Sequence, residues 1–444
     1  MKRRKIIGIL SCLLLLILVV SGCAKSQAAS KQKIVFWHEM TGPAGQQLDT
    51  FAKEFNQSQG KYEIVPEFEG GYNEAVQKIL QTHGTSTSPA LFQSMDVSTS
   101  EIYHAKIATP VQYFINKEHY NLNQIQPVAT SFYSQNGQQI SMPFNTSQPV
   151  LYYNATLLKK LGIKAPSINP SYSEITNVAN QITQKSNGKV KGLTVEEYGW
   201  LFEQFMANSN EHMANNQNGR AGIPTKVDFT TPGAQKAMSW IQANVKKNDI
   251  INFGSGTTAE ANEIASFLSG KLGMFLQSSA DLGQLLAGTK DKLGICYYPH
   301  ADGQKANGVS IGGASLWISN DKPKSVQNGA FEFIKFLMTA KNQAAWQKAT
   351  GYLALNKNSQ QEPILKKLYA ADPEAMVPSE QLSRTKANTA NSGIFMEGIV
   401  QERNLTQTAM QQIYTGANIK KSLTTAEDSM NTYIANNNKA NHYN

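Results

Sequence analysis

Two adjacent glycines, Gly312 and Gly313, lie inside the apolar stretch from Ser310 to Trp317, directly after the polar run 301–308. A strand that gives up two side chains marks either a bend or a place where something approaches the backbone closely. With no Cβ in the way, the N–H of Gly313 could donate to a phosphate oxygen. The pattern alone fits a tight turn into a buried strand equally well. Other chemistry-bearing residues follow short apolar stretches in the same manner: Trp37-His38-Glu39-Met40, Gly70-Gly71-Tyr72, Asp96 and Ser278-Ser279. Trp37, Tyr72, Trp200 and Tyr352 offer rigid faces that can cover the C–H surface of a polyol, while tyrosine hydroxyls bond its oxygens. Each is also compatible with ordinary core. Asp96 can accept from two hydroxyls, or else cap a helix. Ser278-Ser279 stands between Met274-Phe275-Leu276 and a helical stretch from Ala280 to Leu286. Free N–H groups at a helix start attract anions and a serine hydroxyl adds a donor, whereas Ser278-x-x-Asp281 also fits a capping arrangement that needs no ligand.

Catalytic patterns fail on inspection. Gly308-Val309-Ser310-Ile311-Gly312 matches G-x-S-x-G, but a nucleophile elbow requires a helix after the serine, and a strand follows here. His38-Glu39 lacks the second histidine of a zinc-protease helix, and the remaining histidines have no ligand spacing. No phosphate-cradling P-loop exists, so nucleotide hydrolysis would belong to partner subunits. Neither an enzyme nor a cofactor or metal dependence is expected. The formal charge is +9 over 444 residues, with no basic stripe carrying interleaved aromatics, which argues against a nucleic-acid partner.

These residues need elements to position them. The chain opens with Lys2-Arg3-Arg4-Lys5, an apolar run from Ile6 to Val20, and Val20-Ser21-Gly22-Cys23. A basic n-region, a short apolar h-region and small residues before a cut site read as a secretory signal, too short to span a bilayer. The cysteine after Ser-Gly resembles a bacterial lipobox, which implies cleavage before Cys23 and acylation of its thiol, with 24–32 as a tether. Among the three cysteines only Cys296 then remains, so no internal disulfide can form, and in its apolar run it reads as a buried small hydrophobe. After the tether, Ile34–Trp37, Tyr62–Phe68 and Ala90–Phe92 read as strands. Between them Leu48, Phe51, Ala52 and Phe55, then Ala75, Val76, Ile79 and Leu80, keep helical spacing. Strand–helix alternation implies an α/β fold with a mainly parallel sheet whose ligands bind beyond the strand carboxyl ends. Further helices are expected near 172–184, 198–209, 232–245, 260–268, 330–337 and 343–348. The Asn-rich end, 431–444, reads as a fraying tail.

Five segments occur in a telling order: Phe36-Trp37-His38-Glu39-Met40, Pro143-Phe144-Asn145-Thr146-Ser147, Pro149-Val150-Leu151-Tyr152-Tyr153-Asn154, Gly312-Gly313-Ala314-Ser315-Leu316-Trp317 and Thr350-Gly351-Tyr352-Leu353. From about Ile34 to Gly416 the chain resembles the extracellular solute-binding proteins of ABC importers, specifically the glycerol-3-phosphate-binding branch. The resemblance implies an α/β, two-lobed periplasmic-binding-protein-like fold of type II with a ligand cleft between hinged lobes. Lobe one would hold 33–144 and 310–365, lobe two 145–309 and 366–432, with a disordered tail from 433. It also implies a monomeric, lipid-anchored receptor on the extracytoplasmic side that delivers its ligand to ABC permease subunits in the membrane.

Residue by residue, the resemblance places Tyr72, Asp96, Ser147, Trp200, Ser278, Gly313, Tyr352 and Arg403 at the ligand. Thr146, Ser279 and Gly312 compete with their neighbours for three of these places. The branch carries Glu where Asp96 stands, and Pro after the residue matching Leu353. Arg403 offers a planar fork of donors suited to a phosphate; taken without the resemblance, it reads as a surface helix charge pairing with Glu402 or Glu397. The ligand implied is glycerol 3-phosphate or a glycerophosphodiester. A neutral oligosaccharide or polyol bound by the same kind of receptor is the alternative, and a secreted hydrolase a remoter one.

Overall fold

The computed structural model describes residues 30–443. Its strands are β1 Gln32–His38, β2 Tyr62–Phe68, β3 Leu91–Met95, β4 Ala108–Thr109, β5 Met142–Ser147, β6 Pro149–Asn154, β7 Lys191–Val195, β8 Leu272–Ser278, β9 Leu293–Cys296 and β10 Gly312–Ser319. The helices that matter for the site are α1 Gly42–Ser58, α2 Tyr72–Thr82, α3 Gly199–Asn208, α4 Gly256–Leu268, α5 Leu282–Gly288, α6 Ala340–Thr350, α7 Ile399–Tyr414 and α8 Ile419–Ala440.

Each of the two larger sheets centres one lobe. The first has six strands in the order β2-β1-β3-β10-β4, with β5 also paired to β10. β1 is parallel to β2 and β3, as the strand–helix alternation requires. The returning strand β10 runs antiparallel to β3, β4 and β5, so only half of this sheet is parallel. The second sheet has four strands in the order β9-β6-β8-β7. There β8 is parallel to β7 but antiparallel to β6.

Local sequence explains why these elements form. In β1, Ile34, Phe36 and Trp37 are buried. In α1, Pro43 opens the helix and Leu48, Phe51, Ala52 and Phe55 fall on one buried face. Phe51 and Phe55 meet Phe333, Phe336 and Trp346 in a cluster of tilted and edge-on rings. Fully burying one such side chain is worth about 1.5–3 kcal/mol. A second core packs α3, α7 and α8 under the other sheet, around Phe202, Phe205, Met410 and Leu423.

The chain passes between the sheets at Gln148, which separates β5 from β6, and returns through Val309–Ile311 into β10. Gln148 ties the two passages together: it is buried, and its side-chain amide donates to the carbonyls of Val309 and Ser310. Its own N–H donates to the Ser279 hydroxyl at 3.1 Å. Leu353 N–H donates to Thr146 O, which brings the chain beyond α6 against the first passage.

The carboxyl end departs from the frayed tail expected from its Asn-rich composition. α8 continues to Ala440, with Met430 and Ile434 buried. The Tyr443 hydroxyl donates to Glu397 at 2.7 Å. Residues 1–29, including the expected leader and Cys23, lie outside the described residues. Among those described, no helix is long and apolar enough to cross a membrane. Cys296 is free and buried, and burial raises its thiol pKa, so it fills space rather than reacts.

Candidate functional site

The eight residues expected at the ligand form a band of separate groups rather than lining one cavity: Tyr72 and Tyr352 share a cavity, Asp96 pairs with Arg403, Trp200 and Ser147 meet at Gly312 beside Gly313, and Ser278 bonds locally. At one end, Tyr72 and Tyr352 line a cavity of about 900 Å³, bounded across the gap by Leu282, Gly283 and Leu286 of α5. Tyr72 begins α2, and the Asn145 amide donates to its hydroxyl at 3.1 Å. Asn145 in turn accepts from the Gln93 amide at 2.6 Å, so a residue of β5 and one of β3 together orient the tyrosine. The Tyr352 ring stacks on Trp346, with centroids 6.1 Å apart. Burial raises the pKa of both tyrosines, which therefore keep their hydroxyl protons for hydrogen bonding.

At the other end Arg403 reaches from α7 toward Asp96, which opens the turn after β3. One Nη2 serves both Asp96 Oδ2, at 3.2 Å, and Glu203 Oε2, at 3.1 Å. Nε donates to the other oxygen of Glu203. The arginine side chain is 12 % exposed and that of Asp96 3 %. The surface pairing with Glu402 or Glu397 is thus overturned: Arg403 is inside, and its carboxylates come from α3 and the opposite lobe. Glu397 instead holds His104 at 3.2 Å, and its hydrogen bonds outweigh its burial to lower its pKa to about 2. Burial opposes the Arg403 charge, but Asp96 and Glu203 outweigh it and pull its pKa up. Burial raises the pKa of Glu203 and, together with the Glu203 charge, that of Glu402.

The middle of the band is backbone. Gly312 is buried, and a Cβ there would come within 2.9 Å of the Trp200 ring. Gly313 has φ +113°, and a Cβ would sit 1.8 Å from Asn145 O. Each glycine is required for its own reason, one by the indole of α3 and one by the strand beside it. Ser147 pairs with Gly312 across β5 and β10. Trp200 is 4 % exposed, and its indole N–H has no partner among the described residues.

The neighbouring candidates separate by their contacts. Ser279 is buried on Gln148 and belongs to the lobe connection. Ser278 is half-buried, and its hydroxyl accepts from Ala280 N–H at 3.1 Å. Only half of the capping the sequence allowed is present: Ser278 N–H donates to Gln277 Oε1 instead of to Asp281, whose Oδ2 has no partner among the described residues. Asp96 is not the helix cap that sequence also allowed: it is the first residue of the turn after β3, its Oδ1 accepts only from the adjacent Val97 N–H, and its Oδ2 faces Arg403. Thr146 is completely buried, with a hydroxyl lacking a partner among the described residues, whereas Ser147 lies beside the gap at the strand end.

Glu203 is the residue that sequence reasoning missed, while Glu39 stands among the residues it marks as following the first strand but does not assign to the ligand. Glu203 stands one helical turn after Trp200, but nothing in sequence separates a buried helical carboxylate from a solvated one. Glu39 does carry a signal, its place directly after β1. No group of three or more His, Cys, Asp or Glu among the described residues could hold a metal ion.

Two lobes, each built on its own sheet, joined by several chain passages and lined at their interface by aromatics, glycines and one paired arginine, define a ligand-binding protein that closes by hinge motion. The bacterial extracellular solute-binding protein family matches residues 50–377, and the chain belongs to that family. It is 29 % identical over 401 residues to the sn-glycerol-3-phosphate-binding periplasmic protein UgpB of Escherichia coli O1:K1, covering 88 % of this chain and 90 % of the relative. The Salmonella typhimurium protein of that name is 28 % identical over 427 residues, 94 % of this chain and 96 % of the relative. Among solved structures, MalE of Xanthomonas citri superposes with TM-score 0.79 at 15 % identity, covering 93 % of this chain and 100 % of that one. UgpB of Mycobacterium tuberculosis, in complex with glycerophosphocholine, gives 0.74 at 16 %, covering 92 % and 99 %. These neighbours share the two-lobed fold.

Proposed function

We propose that the chain is the extracytoplasmic receptor of an ABC importer and closes on glycerol 3-phosphate or a glycerophosphodiester. The relationship to glycerol-3-phosphate-binding proteins over most of both chains supports this reading. The observation that carries it is the buried guanidinium of Arg403 set between the lobes, bonded to Asp96 of one and Glu203 of the other. On this reading Tyr72, Tyr352 and Trp200 wall the glycerol, Asp96 accepts from its hydroxyls, and Gly313 N–H, Ser147, Ser278 and Arg403 surround the phosphate. Lobe one holds 33–147, since the strand Met142–Ser147 pairs in the first sheet rather than ending that lobe at 144, together with 310–365; lobe two holds 149–309 and 366–440, with α8 in place of a tail from 433, and closure turns about the passages at Gln148 and Val309–Ile311. Cys23 carries the lipid anchor, and the receptor works as a monomer that docks on permease subunits.

One observation favours a neutral polyol or oligosaccharide instead. Arg403 already faces two carboxylates, so a phosphate dianion must displace or repel one of them, a cost that an uncharged ligand avoids. A thermal-shift panel of glycerol 3-phosphate, glycerophosphocholine, ribitol and maltotriose separates the readings, because a ligand that binds only the folded state raises its stability by RT ln(1 + [L]/Kd). Stabilisation by the phosphate compounds alone supports the proposal. Stabilisation by ribitol or maltotriose alone sinks it.

A further inference from the structure

The carboxyl of Glu39 is a buried polar group on the cavity wall that the functional reading leaves unused. Glu39 follows β1, is 8 % exposed and lines the cavity beside Tyr72 and Tyr352. Its Oε2 is sealed from solvent and has no hydrogen-bond partner among the described residues. The backbone around it is fixed from both sides: its N–H donates to Gln93 Oε1 at 3.1 Å, and the next N–H, of Met40, donates to His38 Nδ1 at 3.3 Å. Gln93 is the same residue that orients Asn145 and, through it, Tyr72. Burial raises the Glu39 pKa to about 9, with only a backbone N–H working against it. A buried polar atom without a partner is costly unless something else satisfies it.

We infer that Glu39 is a ligand-binding residue whose neutral carboxyl takes a vicinal diol, in a subsite for the second alcohol of a phosphodiester. A carboxylic acid presents one donor and one acceptor side by side, which complements two neighbouring hydroxyls. Leu282 and Leu286 of α5, which line the same cavity as Tyr72 and Tyr352, would cover the C–H surface of that alcohol. The cavity lies toward the upper end of the roughly 300–1,000 Å³ usual for ligand pockets, leaving room beyond a three-carbon phosphate. The inference rests on the glycerophosphate reading and specifies which diester fits it.

Calorimetric titration of wild type, Glu39→Gln and Glu39→Leu with glycerol 3-phosphate, glycerophosphoglycerol, glycerophosphocholine and ribitol tests it. Glutamine keeps a donor and an acceptor of the same shape; leucine keeps neither. Wild type is expected to bind glycerophosphoglycerol more tightly than the other two phosphates. Glu39→Gln should preserve that preference and Glu39→Leu should weaken it about tenfold, the worth of one or two hydrogen bonds, while glycerol 3-phosphate affinity stays put in both. Unchanged glycerophosphoglycerol affinity in Glu39→Leu overturns the inference. So does a preference for glycerophosphocholine lost equally in both variants, which would make Glu39 the counter-charge of a cation. Should wild type bind ribitol and no phosphate compound, the functional reading fails by itself. The diol role then stands if only Glu39→Leu weakens ribitol and falls if neither variant does.

Discussion

Arg403→Ala removes the one cation that compensates Glu203 and Asp96, and its cost follows from where these groups lie. The Arg403 and Glu203 side chains are each 12 % exposed and Asp96 is 3 % exposed, so little solvent replaces the lost guanidinium. Breaking a buried ion pair from one side costs about 3–5 kcal/mol, because the partner is left charged and dry. The low end, about 3 kcal/mol at pH 7.5, is expected, since burial already raises the Glu203 pKa and eases its escape by protonation. At pH 5 the Glu203 carboxyl, its pKa raised by burial, takes up a proton more readily, so the loss should shrink. Arg403→Ala combined with Glu203→Gln should recover at least half of it, since the two residues share one network. Differential scanning fluorimetry at both pH values measures the stability arm. Calorimetry measures the binding arm, where hydrogen bonds to a charged group are worth about 1.5–3 kcal/mol each and glycerol 3-phosphate affinity should fall about a hundredfold. The double variant should regain stability without regaining affinity. An Arg403→Ala protein that melts like wild type at pH 7.5 would refute the electrostatic account, and one that also binds glycerol 3-phosphate normally would remove Arg403 from the site.

Two other substitutions and one deletion probe the frame around the cleft. Glu263 on α4 has its pKa raised to about 9, burial being the main cause. Below about pH 4.5 both folded and unfolded forms are protonated; above it only the unfolded form ionises, so wild-type stability falls until about pH 9. Glu263→Gln lacks that slope and should be stabilised by about 3 kcal/mol at pH 7 and hardly at all at pH 4.5, which melts at the two pH values will show. Gly313→Ala meets both a φ of +113° and a contact 1.8 Å from Asn145 O; a loss of at least about 3 kcal/mol is expected. Gly60→Ala, with nothing within 4 Å, serves as the harmless control in the same denaturant titration. Deleting 431–444 removes buried Ile434 and the Asn431 side chain that accepts from Val227 N–H at 2.7 Å. A loss of roughly 3–6 kcal/mol should appear in thermal melts, whereas a frayed tail would cost nothing.

The first half of lobe one was legible because its cues are local. Leu48, Phe51, Ala52 and Phe55 repeat at helical spacing, and Ile34 to Trp37 form an unbroken apolar strand. The antiparallel insertion of β10 beside β3 was not, because which strand a segment pairs with depends on residues more than 200 positions away. The tail was misread for a related reason: asparagines and lysines set its composition, yet Met430 and Ile434, one turn apart, suffice to hold α8 to the core. The resemblance singled out Arg403 but not its partners, since Glu203 and Asp96 lie 200 and 307 positions from it. The glycine pair is the clearest case of a cue that was right in kind and incomplete in cause. Sequence could mark a close approach but could not say that an indole presses on one glycine and a carbonyl on the next.

The most direct test of the account is an isothermal titration of the purified mature chain with glycerol 3-phosphate and, separately, with maltotriose. A cleft built around Arg403 should take up one equivalent of glycerol 3-phosphate at micromolar affinity or better and give no heat of binding with maltotriose. The opposite pattern, saturable binding of maltotriose with none of glycerol 3-phosphate, would contradict it.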